Sequence, residues 1–434
     1  MLSRAFIVLF IAMFVAMAGV GMVSPLLPVY VRDELGGPAI GVALSFSGLS
    51  IAQIIAAPFT GTLGDRHGLK PFIVAGFAIY AIGAFGYLFA NTWELVVFFR
   101  VLSGFGAAGV FPMTLAYVGR LAPPGREGSY MGGFTVAQVS GFGLGPLIGG
   151  GVRDAFSSET AFATMGIMLA ATALLTIFLL PANPGRELDE DDEDEQLPSL
   201  PWMQMVRRRS VQGAVLFMTL MASGWGAAFS FIAIFVVSEE GLNLDSALFV
   251  GLLLSVRQLT NAALQPITGR MADRVDRIKL VATGLVLMAL STLLIPIVPE
   301  TVIEVGPVPL ALWVLGAVLI AGVGESMAMP AQQAMFVTLG RVVGMGSLMG
   351  LNNMGMSSGF LFGSLAGAGV VAAFGVRSVF VFAAAVMFAG MFLYVAIMRS
   401  ARGELEHASE VARRAEEREA RRNERRAVGA EAAS

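Results

Sequence analysis

Three residues that can carry charge lie inside long apolar stretches of the 434-residue chain: Arg100, Arg257 and Glu325. An ionisable side chain is expensive at membrane depth, so such residues are normally kept for a proton relay, a substrate contact or an ion pair. Glu325 can take up and release a proton, whereas arginine stays protonated. We therefore predict that the three residues form a proton or charge relay, and a structural ion pair between Arg257 and Glu325 is the alternative interpretation.

Arg257 begins a short polar stripe. Asn261 and Gln265 follow it at four-residue spacing, which places all three side chains on one face of a helix. Lipid would not accept that face, so it is expected to contact protein or a water-filled cavity, with Asn261 as a cavity candidate. Trp225 and Phe229 are further candidates to line the cavity, although core or lipid-facing positions fit these two aromatic residues equally well.

Composition indicates which solvent surrounds these residues. The chain is 56% hydrophobic and 14% charged, with a net charge of −3. Soluble domains are about 45–50% apolar and about 25% charged, so this composition favours a lipid bilayer. The small net charge gives no sign of a nucleic-acid partner.

Known catalytic and cofactor patterns are missing from the sequence. There is no cysteine and only two histidines, so we expect no Cys/His metal site and no enzyme activity. The run from Gly104 to Gly109 has the glycine spacing of a dinucleotide site, but it lies in an apolar stretch rather than between a strand and a helix. We therefore predict no nucleotide and no other cofactor.

A helix needs about 17–25 apolar residues to cross a bilayer. Continuous apolar runs of that length are helices, because only a helix or a closed barrel satisfies its backbone groups in lipid. The start of the chain resembles a signal peptide, but its apolar run continues well past the cleavage-like Ala16-Met17-Ala18, which favours a retained first span. The twelve predicted spans are 5–31, 39–60, 72–91, 93–117, 130–151, 159–181, 212–237, 246–267, 280–298, 308–336, 346–371 and 377–398.

Arginine and lysine in the short loops predict the orientation, since cytoplasmic loops carry an excess of these residues. With a cytoplasmic N-terminus, nine such residues lie inside and three outside, so both termini are predicted to be cytoplasmic. The predicted parts are an N-terminal half (1–181), an acidic cytoplasmic linker (182–211), a C-terminal half (212–398) and a charged cytoplasmic tail (399–434). The mixed charges of the tail favour a solvated or membrane-surface helix, with a partner-binding element as the alternative.

The two halves share an internal repeat. A shift of 208 residues relates PFTGTLGDRHGLKP, at 58–71, to PITGRMADRVDRIK, at 266–279, and also relates Gly76 to Gly284. A shift of 218 residues relates Gly104 and Gly106 to Gly322 and Gly324, and the glycines at 141, 145 and 149 to those at 359, 363 and 367. The offset changes near residues 299–308, where we predict a longer outside loop. Two parallel six-helix halves are one known plan of transporters.

These motifs resemble those of the major facilitator superfamily over nearly the whole membrane-embedded length. The 58–71 run is similar to the family's motif between helices 2 and 3, and helix 4 carries an R-x-x-x-G match at Arg100 and Gly104. Helix 5 resembles the motif of proton-coupled exporters, particularly the twelve-helix drug:proton antiporters. The loop motif and its second copy are matched by Gly61, Asp65, Arg66, Gly68, Lys70, Gly269, Asp273 and Arg274; the helix 5 motif is matched by Gly132, Gly141, Gly145, Pro146, Gly149 and Gly150.

The resemblance implies an all-α membrane protein with twelve helices in two pseudo-symmetric halves. It places Asp65 near helix 11 and, by symmetry, Asp273 near helix 5, where each carboxylate would face a helix N-terminus and act as a cytoplasmic latch. Glycines in this loop would permit tight turns and close backbone approach. Asp276 departs from the family pattern, which has glycine there. Helix 1 holds no acid within its apolar run, so the usual proton site of those exporters cannot be transferred.

The implied function is proton-coupled efflux of small amphipathic molecules across a prokaryotic plasma membrane, with sodium as the alternative coupling ion. A proton-coupled importer of a small organic solute, or of an anion held by Arg257, stays open. A membrane enzyme or scaffold on the same fold is the remaining alternative, and the sequence offers no catalytic cluster in its favour.

Overall fold

The computed structural model describes residues 3–121, 127–181, 202–297, 302–305, 308–343 and 345–404, together with 406 and 410. Long helices make up most of this part of the chain. We number them in chain order as α1 (Arg4–Val23), α2 (Ala39–His67), α3 (Leu69–Gly86), α4 (Trp93–Leu121), α5 (Glu127–Ala155), α6 (Ser158–Leu179), α7 (Arg209–Val237), α8 (Ala247–Arg274), α9 (Arg277–Leu294), α10 (Leu312–Val343), α11 (Met345–Phe374) and α12 (Ser378–Ser400). Helical turns at Leu26–Val29 and Tyr30–Glu34 extend α1, and a further short helix lies at Trp202–Val206.

Eleven helical segments in the described part of the chain are long and apolar enough to cross a membrane. The long helix outside that set is α5, in which glycine replaces many of the aliphatic residues. The outer surface of the bundle carries bare aromatic rings: Phe89, Phe178 and Phe374 are 76%, 77% and 77% exposed. Soluble monomers rarely expose large apolar patches, so this surface is suited to lipid.

Two prolines interrupt the first span near its end. Pro25 and Pro28 lack the backbone N–H that a helix uses, so the hydrogen-bond ladder of α1 ends at Val23 and resumes in short turns. The Ser24 hydroxyl donates to the Val20 carbonyl oxygen at 2.7 Å, which holds the chain at the break. This break leaves the Ser24 oxygen available as an acceptor for a second helix.

The helices pack in the same pattern twice. In the first six helices, α1 packs on α5 and α6, α2 packs on α4, and α3 packs on α4 and α6. In the last six, α7 packs on α11 and α12, α8 packs on α10, and α9 packs on α10 and α12. The main contacts between the two sets are α5 with α8 and α2 with α11. Each packing partner in the first set therefore has a counterpart six helices later.

Glycines related by the repeat make related contacts. A Cβ atom at Gly106 would meet the Gly76 carbonyl oxygen, and one at Gly324 would meet the Gly284 carbonyl oxygen. A Cβ at Gly145 would meet the carbonyl oxygen of Ala18 in α1, whereas the related Gly363 faces the corresponding oxygen of Ser223 in α7. Small residues thus bring the same helix pairs close together in both sets, as is common in membrane bundles.

Successive helices run in opposite directions, so the bundle has two ends. The termini side holds residues 3–4, 68, 207–208, 275–276 and 401; the far side holds residues 35–38, 156–157, 238–246 and 375–377. On the far side, Val302–Val305 and Val308–Ala311 form a two-stranded antiparallel hairpin that leads into α10. We expected only a loop at 299–308. The β-branched valine and isoleucine residues there favour an extended chain.

The start of the tail binds to the helices of the second set. The Glu404 carboxylate accepts hydrogen bonds from the Ser210 backbone N–H at 3.0 Å and from its hydroxyl at 2.7 Å, at the start of α7. Burial raises the pKa of Glu404, but the hydrogen bonds from Ser210 and the Arg209 backbone, together with the charge of Arg208, outweigh burial and hold the pKa below its ordinary value. Arg402 donates to the Asp276 carboxylate at 3.3 Å. The first turn of the tail is therefore part of the folded bundle, and most of 405–434 lies outside the described residues.

The close contact between α5 and α1 gives a first prediction. We expect Gly145→Leu to lower Tm clearly, because a larger side chain there must push against the α1 backbone, and overpacking costs about 1–3 kcal/mol or more. Gly316→Leu is the matched control, since a Cβ at Gly316 meets no described atom within 4 Å. Thermal unfolding of both variants in one detergent compares them. Equal Tm values would show that close packing at Gly145 is unnecessary.

Candidate functional site

Arg257 and Glu325 form a buried ion pair. Arg257 Nη2 donates to Glu325 Oε2 at 2.8 Å, and the side chains are 8% and 4% exposed. Arg257 lies in α8 and Glu325 in α10. These helices approach closely because Gly322, one turn before Glu325, packs against the Arg257 carbonyl oxygen, where any Cβ would clash. The sequence thus places a glycine where it brings the carboxylate within reach of the guanidinium group.

Aromatic rings cover the Arg257 guanidinium group. Its central carbon lies 4.1 Å from the centre of the Trp225 ring and 5.9 Å from the centre of the Phe229 ring. Both rings come from α7, and their four-residue spacing puts them on one helix face. A cation over an aromatic face within about 6 Å is attracted by the ring quadrupole, and the attraction strengthens when the pair is removed from water. The guanidinium group is therefore held by a carboxylate and by two rings.

Two more phenylalanines complete the aromatic cluster, which we define as Phe46, Trp225, Phe229 and Phe360. Phe360 of α11 lies 5.5 Å from Trp225 between ring centres. Phe46 of α2 lies 5.2 Å from Phe229 and 6.2 Å from Phe360. Phe46 thus comes from the first set of helices and packs among rings of the second set. The cluster can exist in this form only while α2 and α11 are together.

Polar groups flank the ion pair along α8. Asn261 is 3% exposed, and its side-chain oxygen accepts from Gln265 Nε2 at 3.4 Å. The predicted stripe therefore faces the interior of the bundle.

Trp225 Nε1 is buried and has no hydrogen-bond partner among the described residues. A buried indole donor is normally paired, so this N–H can serve a ligand or a water molecule.

Arg100 lies apart from the ion pair but is linked to it through Phe46. Its Nη2 donates to the Ser24 hydroxyl oxygen at 3.2 Å, and its Nε donates to the Phe46 carbonyl oxygen at 3.4 Å. Arg100 is 3% exposed, and its Nη1 atom has no hydrogen-bond partner in the described part of the chain. The structure therefore brings Arg257 and Glu325 together directly, whereas Arg100 supports the backbone of a residue in the aromatic cluster.

The loop motif at 58–71 is described only in part. The side chains of Asp65, Arg66 and Asp273, and the surroundings of Gly61, lie outside the part of the structure whose side chains are described. Gly68 has a φ of +86°, a backbone conformation that favours glycine. Lys70 Nζ donates to the Ile177 carbonyl oxygen at 2.9 Å, which ties α3 to the end of α6.

The second copy of the loop is described at Gly269, Arg274 and Asp276. A Cβ at Gly269 would meet no described atom within 4 Å, and the residue lacks a positive φ. Asp276 caps α9, since its Oδ1 accepts from the Ile278 N–H at 2.9 Å. An aspartate at this position therefore starts a helix where the family pattern has glycine. Arg274 is exposed.

The helix 5 motif faces two different helices. Gly141, Gly145 and Gly149 face backbone carbonyl oxygens of α1, whereas Gly150 faces the Ala247 carbonyl oxygen at the start of α8. The carbonyl oxygen of Pro146 likewise meets Gly251 of α8. The three-glycine stripe is thus a fixed contact inside the first set of helices. The contact between the two sets runs along the neighbouring face, and the surroundings of Gly132 lie outside the described residues.

Sequence reasoning missed Phe46 and Phe360. The chain contains 31 phenylalanines, and neither of these two has a neighbouring motif that distinguishes it. Their role depends on which helices meet in space. No local signal could have found them, because their partners are far away in sequence.

The unequal chemistry of the two charges gives a second prediction. We expect Glu325→Leu to lower the free energy of unfolding by about 3–5 kcal/mol, because it leaves Arg257 buried, charged and unpaired. Arg257→Leu should cost less, since the remaining carboxyl group can take up a proton and become neutral. The double variant should recover part of the loss. Thermal unfolding of the three variants measures this, and equal costs for the two single changes would contradict it.

Comparisons with known proteins agree with this architecture. The family model described as Major Facilitator Superfamily matches residues 9–256 and 242–428. Multidrug resistance protein MdtG of Proteus mirabilis (strain HI4320) is 28% identical over 86% of this chain and 91% of that protein. A multi-drug resistance efflux pump PmrA homolog of Lactococcus lactis subsp. lactis (strain IL1403) is 26% identical over 65% of this chain and 70% of that protein. The crystal structure of the nucleoside transporter NupG aligns with a TM-score of 0.72 at 14% identity, covering 91% of this chain and 99% of that one, so it shares the fold. The chain belongs to the major facilitator superfamily, a family of membrane transporters rather than enzymes.

Proposed function

We propose that this chain is a proton-coupled exporter of small amphipathic molecules that works by alternating access. The observation that carries the proposal is the buried Arg257–Glu325 pair inside an aromatic cluster to which both sets of helices contribute. A titratable carboxylate in that position senses whether the two sets are together. Efflux is supported by the helix 5 motif and by the 28% identity to a protein named for multidrug resistance.

We propose twelve membrane spans with both termini in the cytoplasm of a prokaryotic cell. Eleven spans follow from length and hydropathy, and α5 is the twelfth because it packs between α1 and α8, which are both spans. The two sets of helices are then two six-helix halves joined by the acidic linker at 182–211. Arginine and lysine in the loops make the termini side the cytoplasmic side, in the plasma membrane.

Glu325 is the proton carrier in this proposal because it is the member of the buried pair that a proton can neutralise, whereas arginine stays protonated. Separation of the halves admits water to the pair. A proton that enters then breaks the ion pair, and Arg257 is left to the Trp225 ring and to the substrate.

The aromatic cluster is suited to a flat, apolar substrate. Its rings offer faces and edges for stacking, and the unpartnered Trp225 N–H offers one donor. Phe46 packs between the rings of Phe229 and Phe360 in the present conformation. A substrate molecule would take the place of the Phe46 ring when α2 moves away from α11.

A proton-coupled importer of a small organic solute or anion is the second candidate. Arg257 supports it, because the same guanidinium group could hold an anionic substrate once Glu325 is protonated. The two candidates differ in direction, so accumulation in everted vesicles under an imposed pH gradient separates them. Uptake into everted vesicles driven by an acidic interior indicates export from the cell.

The proton role of Glu325 gives a third prediction. We expect Glu325→Gln to exchange substrate down its gradient but not to accumulate it against one, because glutamine mimics the protonated carboxyl group permanently. The measurement is accumulation of an amphipathic dye that the parent protein concentrates in everted vesicles. Gln265→Glu adds an acid in α8, two turns from Arg257, and controls for a general change of charge. A Glu325→Gln variant that concentrates the dye as well as the parent would assign the proton to another residue.

We also propose the cytoplasmic latch at Asp65, with Asp273 as its weaker counterpart. The support is the motif itself and the position of α2 beside α11. We expect Asp65→Asn to slow transport with normal expression and to raise the reactivity of cysteines placed on the termini side. Asp273→Asn should act in the same way but less strongly. Unchanged reactivity in both variants would leave these residues only a role in orienting the loops.

A further inference from the structure

Asp154 joins the end of α5 to the start of α8 on the far side. Its Oδ1 accepts from the Ala247 N–H at 3.0 Å, and its Oδ2 accepts from the Leu248 N–H at 2.8 Å and from the Ser246 hydroxyl at 3.3 Å. These two backbone N–H groups belong to the first turn of α8 and have no partner within the helix itself. A carboxylate from one proposed half therefore caps a helix of the other.

The start of α8 also has a cap of its own. Ser246 is the N-cap of α8, and its hydroxyl oxygen accepts from the Phe249 N–H at 3.1 Å. This side chain satisfies one of the N–H groups that every helix start leaves unpaired. Asp154 supplies acceptors for two more of them from another helix, and so joins α5 to α8.

The contact requires that the far side be closed. One turn before Asp154, Gly150 faces the Ala247 carbonyl oxygen, and Gly251 faces the Pro146 carbonyl oxygen one turn further into α8. Backbones that approach this closely cannot separate at the far side while both carboxylate oxygens of Asp154 keep their N–H partners. Separation of α5 from α8 must therefore break all three hydrogen bonds together.

Among the described residues, the other contact between the two sets of helices shows no such cap. At the start of α2, which packs on α11, the N-cap is Pro38, and it makes no side-chain cap hydrogen bond. The residue related to Asp154 by the shift of 218 is Ala372, near the end of α11. Of the two related contacts, α5 with α8 and α2 with α11, only the first has this acid at the position that the repeat relates. The glycine contacts, in contrast, occur in both sets.

We propose that Asp154 is a gating residue that holds the far side closed by capping α8 across the interface. This proposal rests on the alternating-access function proposed above. A carboxylate near a helix N-terminus is stabilised by the positive end of the helix dipole. In the closed conformation Asp154 has this stabilisation together with its hydrogen bonds, and in the open conformation water must replace both. The residue thereby sets the balance between the two conformations without touching the substrate.

The absence of cysteine from the chain makes a direct test simple, because two introduced cysteines take spin labels with no background. Phe89→Cys and Phe374→Cys mark the far side of the two sets of helices at exposed positions away from Asp154. Electron–electron distance measurements in nanodiscs then report the closed and open far-side populations. The set comprises the labelled parent, Asp154→Ala, Asp154→Asn and the control Asp245→Asn. The control removes an acid from the same interface. Asp245 pairs with Arg153 of α5 among the described residues, but its side chain is 90% exposed, and an exposed ion pair contributes little.

We expect Asp154→Ala to raise the open-to-closed ratio about five-fold, the size typical of a lost helix cap. Asp154→Asn should give a smaller rise, since the amide keeps one acceptor oxygen and loses the charge. Asp245→Asn should match the parent. No rise in either Asp154 variant, or an equal rise in Asp245→Asn, would overturn the proposal. The parent could stay closed at every pH and with every substrate while Asp154→Ala shows a longer distance. That result would support the gating role of Asp154 and contradict the proposed transport cycle.

Discussion

The buried ion pair between Arg257 and Glu325 is the interaction on which the rest of the site depends. An arginine at this depth cannot lose its charge, so the chain must supply a carboxylate within hydrogen-bond distance or expose the guanidinium group to water. The pair at 2.8 Å and the Trp225 ring at 4.1 Å meet this need. A carboxylate that neutralises arginine can also be neutralised by a proton. The proposed proton coupling therefore rests on the same contact that neutralises the buried arginine.

Small residues allow the helices around the pair to come close enough. Gly322 lets α10 rest on the backbone of Arg257, and Gly145 lets α5 rest on α1. Within each set, contacts of this kind recur at positions related by the repeat. Between the sets, the glycine contacts at Gly150 and Gly251 are joined by Phe46 among the rings of the second set and by the Asp154 carboxylate at the start of α8. The proposed alternating access requires that the contacts between the sets break while those within each set hold.

Sequence reasoning reached the membrane-embedded helical fold, the family and the charged residues, because apolar length, glycine spacing and buried charge are local signals. It left open whether Arg257 and Glu325 touch, since that depends on how α8 lies against α10. It did not find Phe46, Phe360 or Asp154, whose partners are more than ninety residues away. At Asp276 the sequence showed a departure from the motif but not its consequence, which is that the side chain caps α9.

The central claim is that Glu325 takes up and releases a proton inside the membrane. Infrared difference spectroscopy tests it directly and needs no substrate, because a protonated carboxyl group has a carbonyl band that the carboxylate lacks. Other carboxyl groups among the 31 acidic residues add bands of the same kind, so the informative signal is the band component that the parent and Asp154→Asn share and that Glu325→Gln lacks. An unchanged band in Glu325→Gln would show that another group carries the proton and would contradict this account.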